Sequence, residues 1–196
     1  MRAKSMMRFV VFGAVGFGLG GAIAGACWPL AFVTRGPSAL LFILSGVVGG
    51  ASLGLALGDR TRAIRLALLG ILGFSPGGIV ALVIGFGFMS GSAEYGIRGM
   101  MGIFGGAIVG ASLALAFADW KRVIVLALAR AAGFGAGVVI GAFALQEMFG
   151  ESTLIGTSGT IVLYAITGII GGASLGAALG YLESRKRAEG RRPRIR

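Results

Sequence analysis

The chain contains no histidine and one cysteine, Cys27, in 196 residues. Histidine is the usual general base near neutral pH and the commonest metal ligand, so its absence removes imidazole chemistry altogether. No zinc-type or haem-type ligand spacing occurs. A lone cysteine excludes an internal disulfide. Acidic residues are also scarce, seven Asp and Glu against eighteen Lys and Arg, which leaves a net charge of +11. There is no Walker lysine motif, no HExxH and no CxxC. "GFGLGG" imitates a dinucleotide-binding loop, but no strand precedes it and it lies in an apolar run. These absences predict no catalytic residue, no metal site, no cofactor and no enzyme.

Charged residues make up only 13% of the chain, whereas 56% are hydrophobic and 38 are glycine. Mean hydropathy is +0.92. Apolar runs of about twenty residues, the length that crosses a bilayer, recur from end to end. The expected fold is an all-α integral membrane protein with six transmembrane helices, at residues 8–28, 38–58, 63–89, 99–118, 123–145 and 159–182. The N-terminal "MRAKSMMR" followed by an apolar stretch imitates a signal peptide, and "AGAC" a loose lipoprotein cleavage site. A retained first helix is the expectation, because "GFGLGGAIAGA" aligns with the internal "GFSPGGIVALV" and "GFGAGVVIGAF".

One phrase is written three times: "GGASLGLALGDR", "VGASLALAFADW" and "GGASLGAALGYL", about sixty residues apart. Each copy follows a helix marked by "GF", at Gly16, Gly73 and Gly133. The unit is therefore a two-helix hairpin, and three copies (approximately 6–58, 61–118 and 121–182) predict a pseudo-threefold bundle. A basic tail, 183–196, follows. An even number of helices per unit keeps the copies parallel, with the symmetry axis along the membrane normal. In number alone this plan resembles that of the mitochondrial carriers. Their Pro–acid–base signature is missing from the odd helices, which end "ACWPLAF", "FGFMSGS" and "LQEMFGE".

Small residues stand four apart in the even helices: Gly46, Gly50, Gly54 and Gly58; Gly106 and Gly110, then Ala114 and Ala118; Gly168, Gly172, Gly176 and Gly180. That spacing puts them on one helix face, where a missing side chain admits a neighbouring backbone. These glycines are expected to pack helices as a zipper, within the chain or between copies. Ser52, Ser112 and Ser174 recur two residues after the second stripe position. They form either a ring of hydroxyls for a polar solute or ion, or back-bonds to their own helices.

Fifteen of the eighteen basic residues lie at the ends that carry both termini, with only Arg35 and Arg98 opposite. The positive-inside rule then predicts cytoplasmic termini in a plasma or inner membrane. Arg130 is the exception. It lies nine residues, about 13 Å of helix rise, beyond Lys121, where the other hairpins carry Gly13 and Gly70. An intramembrane charge marks a functional site unless it snorkels to the headgroups. Asp59 and Asp119 end two of the repeated phrases beside basic residues, as caps and local ion pairs, a gate, or a partner for Arg130. Pro76 is expected to kink the third helix beside Gly77.

Two functions remain open. One is a transporter or channel-like protein of unspecified substrate, with Arg130 as its main electrostatic feature. The other is a non-catalytic structural or assembly protein whose glycine faces meet its own copies or other membrane helices. The expected partners are the lipid bilayer and, at the basic tail, anionic headgroups. Nucleic acid is not expected, since no aromatics interleave the basic residues.

Overall fold

The computed structural model is all-helical, and the structure describes residues 2–34, 39–73, 94–117, 119–149 and 157–189. Helix α1 spans Arg2–Thr34, α2 Ala39–Ala56, and α3 the described residues 60–73. Helix α4 spans Glu94–Ala114 and ends in a 3-10 turn, Leu115–Phe117; α5 is Trp120–Phe149 and α6 Thr157–Glu189. Pro76, Gly77, Phe74 and the rest of the third predicted span lie outside the described residues.

Several helices outrun the apolar runs that announce them. Helix α1 begins at Arg2, and α6 continues past Leu182 to Glu189. Their extensions, "RAKSMM" and "ESRKRAE", are rich in Arg, Lys, Ala, Met and Glu, all good helix formers. Three helices are long and apolar enough to cross a membrane, over Met6–Cys27, Trp120–Met148 and Ser158–Lys186. Ile43–Ala56 and Ile103–Ala114 are shorter apolar helices.

The α2–α3 junction shows how local chemistry sets a turn. Helix α2 stops at Ala56, and Gly58 adopts a positive φ, the left-handed conformation that glycine tolerates best. Its amide donates to the Leu55 carbonyl at 2.9 Å. Asp59 then caps α3, its Oδ1 accepting from the Thr61 and Arg62 amides at 2.9 and 3.3 Å. Gly58 therefore does not belong to the packing face that its spacing predicts. A Cβ there would meet nothing within 4 Å, because the helix has already ended.

The six helices form a ring in chain order. Helix α1 packs on α2, α4 on α5, α5 on α6, and α6 closes the ring on α1. Glycines on α2 meet α3: a Cβ on Gly50 would collide with the Leu66 carbonyl, and one on Gly70 with that of Gly46. Likewise Gly106 and Gly110 of α4 face the carbonyls of Arg130 and Leu126 on α5. At the closing interface Gly172 and Gly176 of α6 face the carbonyls of Gly13 and Phe9.

Those contacts follow two patterns. Within each hairpin the pairing is the same three times: a Cβ on Gly16, Gly73 or Gly133 would lie 2.5, 2.8 or 2.6 Å from the Cβ of Ser52, Ser112 or Ser174. Between hairpins it is the same only twice. Gly46 stands opposite Gly70 and Gly106 opposite Arg130, yet Gly168, the aligned residue of α6, stands opposite Phe17 rather than Gly13. The closing interface is thus four residues out of step, about 6 Å of helix rise.

The core gathers where the odd and even helices face inward. Leu53, Leu113 and Leu175, the leucines of the repeated "ASL", are only 1–2% exposed. With Phe9, Leu66 and Leu126 they belong to one hydrophobic cluster.

Candidate functional site

Arg130 of α5 is buried against residues of α1, α4 and α6. One helical turn from Leu126, its side chain is 0% exposed. The guanidinium carbon sits over two rings, 4.1 Å from the Phe17 centroid and 4.8 Å from that of Phe134. These are two of the three "GF" phenylalanines, brought from α1 and α5 to one cation. The side chain does not snorkel. It is held where the chain has removed bulk for it. A Cβ on Gly171 would lie 2.8 Å from Nη1, and one on Gly110 2.8 Å from the Arg130 Cβ. Desolvating a charge costs several kcal/mol even after relaxation. A desolvated cation–π contact returns about 2 kcal/mol. Two such contacts offset part of the penalty.

The serines do not form a ring of free hydroxyls. Ser52 Oγ donates to the Gly49 carbonyl at 2.8 Å, Ser112 Oγ to that of Ile108 at 2.9 Å, and Ser174 Oγ to that of Gly171 at 2.9 Å. Each serine satisfies its own helix while pressing on the glycine of its hairpin partner. The residue beside it, Leu53, Leu113 or Leu175, is the one that reaches the core. Sequence reasoning passed over these leucines although "ASL" is intact in all three copies; in a helix apolar on every side, hydropathy marks no inner face.

The aspartates lie at one end of the ring. Asp59 pairs with Arg62 at 3.2 Å, and Asp119 with Arg122 at 3.2 Å, both as i,i+3 pairs. Asp119 Oδ1 also accepts from the Lys121 amide at 3.0 Å, capping α5. Arg122 reaches across to Glu183 of α6 at 2.9 Å, and the two side chains are 11% and 14% exposed. Its guanidinium also lies 5.5 Å from the Phe117 ring centroid. The Arg122–Glu183 bridge joins segments 61 residues apart and was not legible in the sequence.

This end opens into a cavity of about 610 Å³. Arg62 and Arg65 of α3, Lys121 and Arg122 of α5, and Arg185 and Lys186 of α6 line it, against Asp119 and Glu183. Its apolar lining includes Leu66, a member of the core cluster. A second cavity of about 350 Å³ lies beyond Arg62 and Glu183, with Lys4, Arg8, Phe9, Ala56 and Leu57 in its wall. Along α5 the cavity cations Lys121 and Arg122 come first, then Leu126 of the hydrophobic cluster, then Arg130. Among the described residues no three Cys, Asp or Glu side chains gather as a metal would require.

Comparison with protein-family models, with curated proteins and with solved structures returns no match to this chain.

Proposed function

We propose that the ring spans a membrane as three tandem hairpins with cytoplasmic termini, and that it is a non-enzymatic transporter or channel-like protein for a solute carrying negative charge. The membrane reading is supported by the outward faces. Met7, Val11, Val15, Leu19 and Ile23 of α1 are all exposed and stand four apart, as do Ile64, Leu68 and Leu72 of α3. Continuous exposed apolar faces of this kind are matched by lipid and not by water. Trp120 and Tyr181, both exposed near the basic end, suit a headgroup layer.

The observation that carries the transport reading is the complete burial of Arg130 behind a basic mouth. A bundle that only packs needs no charge there, and the aligned positions Gly13 and Gly70 do without one. An intramembrane cation is expensive to keep, and such residues mark solute pathways. In this reading the hydrophobic cluster closes the route between mouth and Arg130.

A second reading, a structural or assembly protein, is favoured by the serines, whose hydroxyls are committed to their own helices, and by the close backbone contacts throughout the ring. The test is anion flux through proteoliposomes holding the wild-type protein, Arg130→Ala or Arg130→Lys, with folding checked by melting. Flux above empty liposomes that falls in Arg130→Ala and is partly restored in Arg130→Lys supports transport. No flux of ions or small solutes through the folded wild type transfers the conclusion to assembly.

A further inference from the structure

The cavity at the basic end has no assigned role, and it is more than a place where positive charge accumulates. A preference for cations on one membrane face accounts for the side on which they lie. It does not account for their convergence. Three segments distant in sequence, at 62–66, 119–122 and 182–186, deliver six cations and two carboxylates into one volume of about 610 Å³. That volume falls in the range of small-ligand sites. Gathered like charges repel, and the two carboxylates leave an excess of four positive charges.

The carboxylates are themselves committed. Asp119 caps α5 and pairs with Arg122, and Glu183 holds Arg122 from the opposite wall. Arg122 is therefore fixed in place, nearly buried, before anything binds. Arg65 and Lys186 are exposed on the same cavity. The arrangement is one pre-positioned guanidinium surrounded by adjustable cations. A single carboxylate would answer only a quarter of the excess charge. An anion bearing two or more phosphate charges answers half of it or more and offers the oxygens that arginine forks engage.

We propose that this cavity binds a compact phosphate-bearing polyanion, delivered either as a soluble phosphoanhydride or as an anionic lipid headgroup. Binding here does not depend on conduction. A cavity that binds in a protein that passes no solute keeps this proposal and removes the transport reading; flux without binding does the reverse.

The experiment titrates inorganic pyrophosphate into the protein in phosphatidylcholine nanodiscs, followed by calorimetry. In parallel, native mass spectrometry reads the phosphatidic acid retained from nanodiscs that contain it. The variants are Arg65→Gln, Lys186→Gln and their combination, with Arg60→Gln as a charge-matched control that is exposed but outside both cavities. Each cavity variant should weaken binding about fivefold, the effect of one near-surface cation on an anion, and the pair more than tenfold. Arg60→Gln should change it less than twofold. Pyrophosphate binding with this pattern supports the proposal with a soluble ligand. Phosphatidic acid retention with this pattern, and no pyrophosphate binding, supports it with a lipid. Binding of neither probe, or equal weakening by Arg60→Gln, overturns it.

Discussion

Replacing Gly172 with alanine tests the close backbone contact between α6 and α1. A Cβ at Gly172 would strike the Gly13 carbonyl oxygen and lie 2.7 Å from its carbon and 2.9 Å from the Phe17 Cβ. Ordinary contact begins near 3.4 Å, so the carbonyl carbon alone must retreat by about 0.7 Å. No flexible side-chain end is available to yield, because the obstacle is helix backbone. The two helices must part, and the neighbouring contacts of Gly168 with Phe17 and of Gly176 with Phe9 open with them. A gap of about 0.5–1 Å forfeits roughly a quarter to a half of each dispersion contact. Overpacking of this kind costs about 1–3 kcal/mol. The better helix propensity of alanine returns about 1 kcal/mol. With the overpacking cost at the upper end of its range, about 2–3 kcal/mol because the obstacle is backbone, the expected net loss is about 1–2 kcal/mol, or a fall of roughly 2–8 °C in Tm for a chain of this size. Tryptophan fluorescence during thermal unfolding in detergent measures it. Gly13→Ala should behave alike, since its Cβ would strike the Gly172 carbonyl. The double variant should lose less than the sum, because helices already parted have less contact left to lose. A Gly172→Ala protein that melts at or above the wild-type temperature refutes the packing argument.

Two further outcomes follow from the same structure. Gly58→Ala should destabilise by about 1–2 kcal/mol through left-handed backbone strain, with Gly58→Asn costing less; equal melting of all three proteins would remove Gly58 from the turn. The triple variant Ser52→Ala, Ser112→Ala, Ser174→Ala should melt within a few degrees of wild type, because each hydroxyl and the carbonyl it bonds belong to one helix and the carbonyl keeps its place in the backbone ladder. A large loss of stability, or a changed oligomeric state on sedimentation, would show that the hydroxyls hold something beyond their own helices.

How much of this was legible in the sequence depends on the residue. The Asp59 turn could be read locally: glycine, then aspartate, then a new helical run, with each hydrogen bond closing inside a few residues. Gly58 was misplaced by its spacing alone, since four-residue periodicity continues through a helix end that only the backbone φ reveals. Arg130 stood out as a charge within an apolar run, but its snorkelling and buried conformations differ by contacts with Phe17, which α1 brings from the far end of the chain. The Arg122–Glu183 bridge carried no local signal at all.

The sequence by itself determined that the chain would be helical and roughly where the described helices lie, because these follow from hydropathy and from 3.6-residue geometry. Tertiary structure decided which face turns inward, since helices apolar all round carry no amphipathic instruction. It placed the leucine rather than the serine of "ASL" in the core, and it set Arg130 between Phe17 and Phe134. It also decided the closing register. Ring closure must satisfy all six interfaces at once, and the chain meets that condition by slipping α6 one turn along α1.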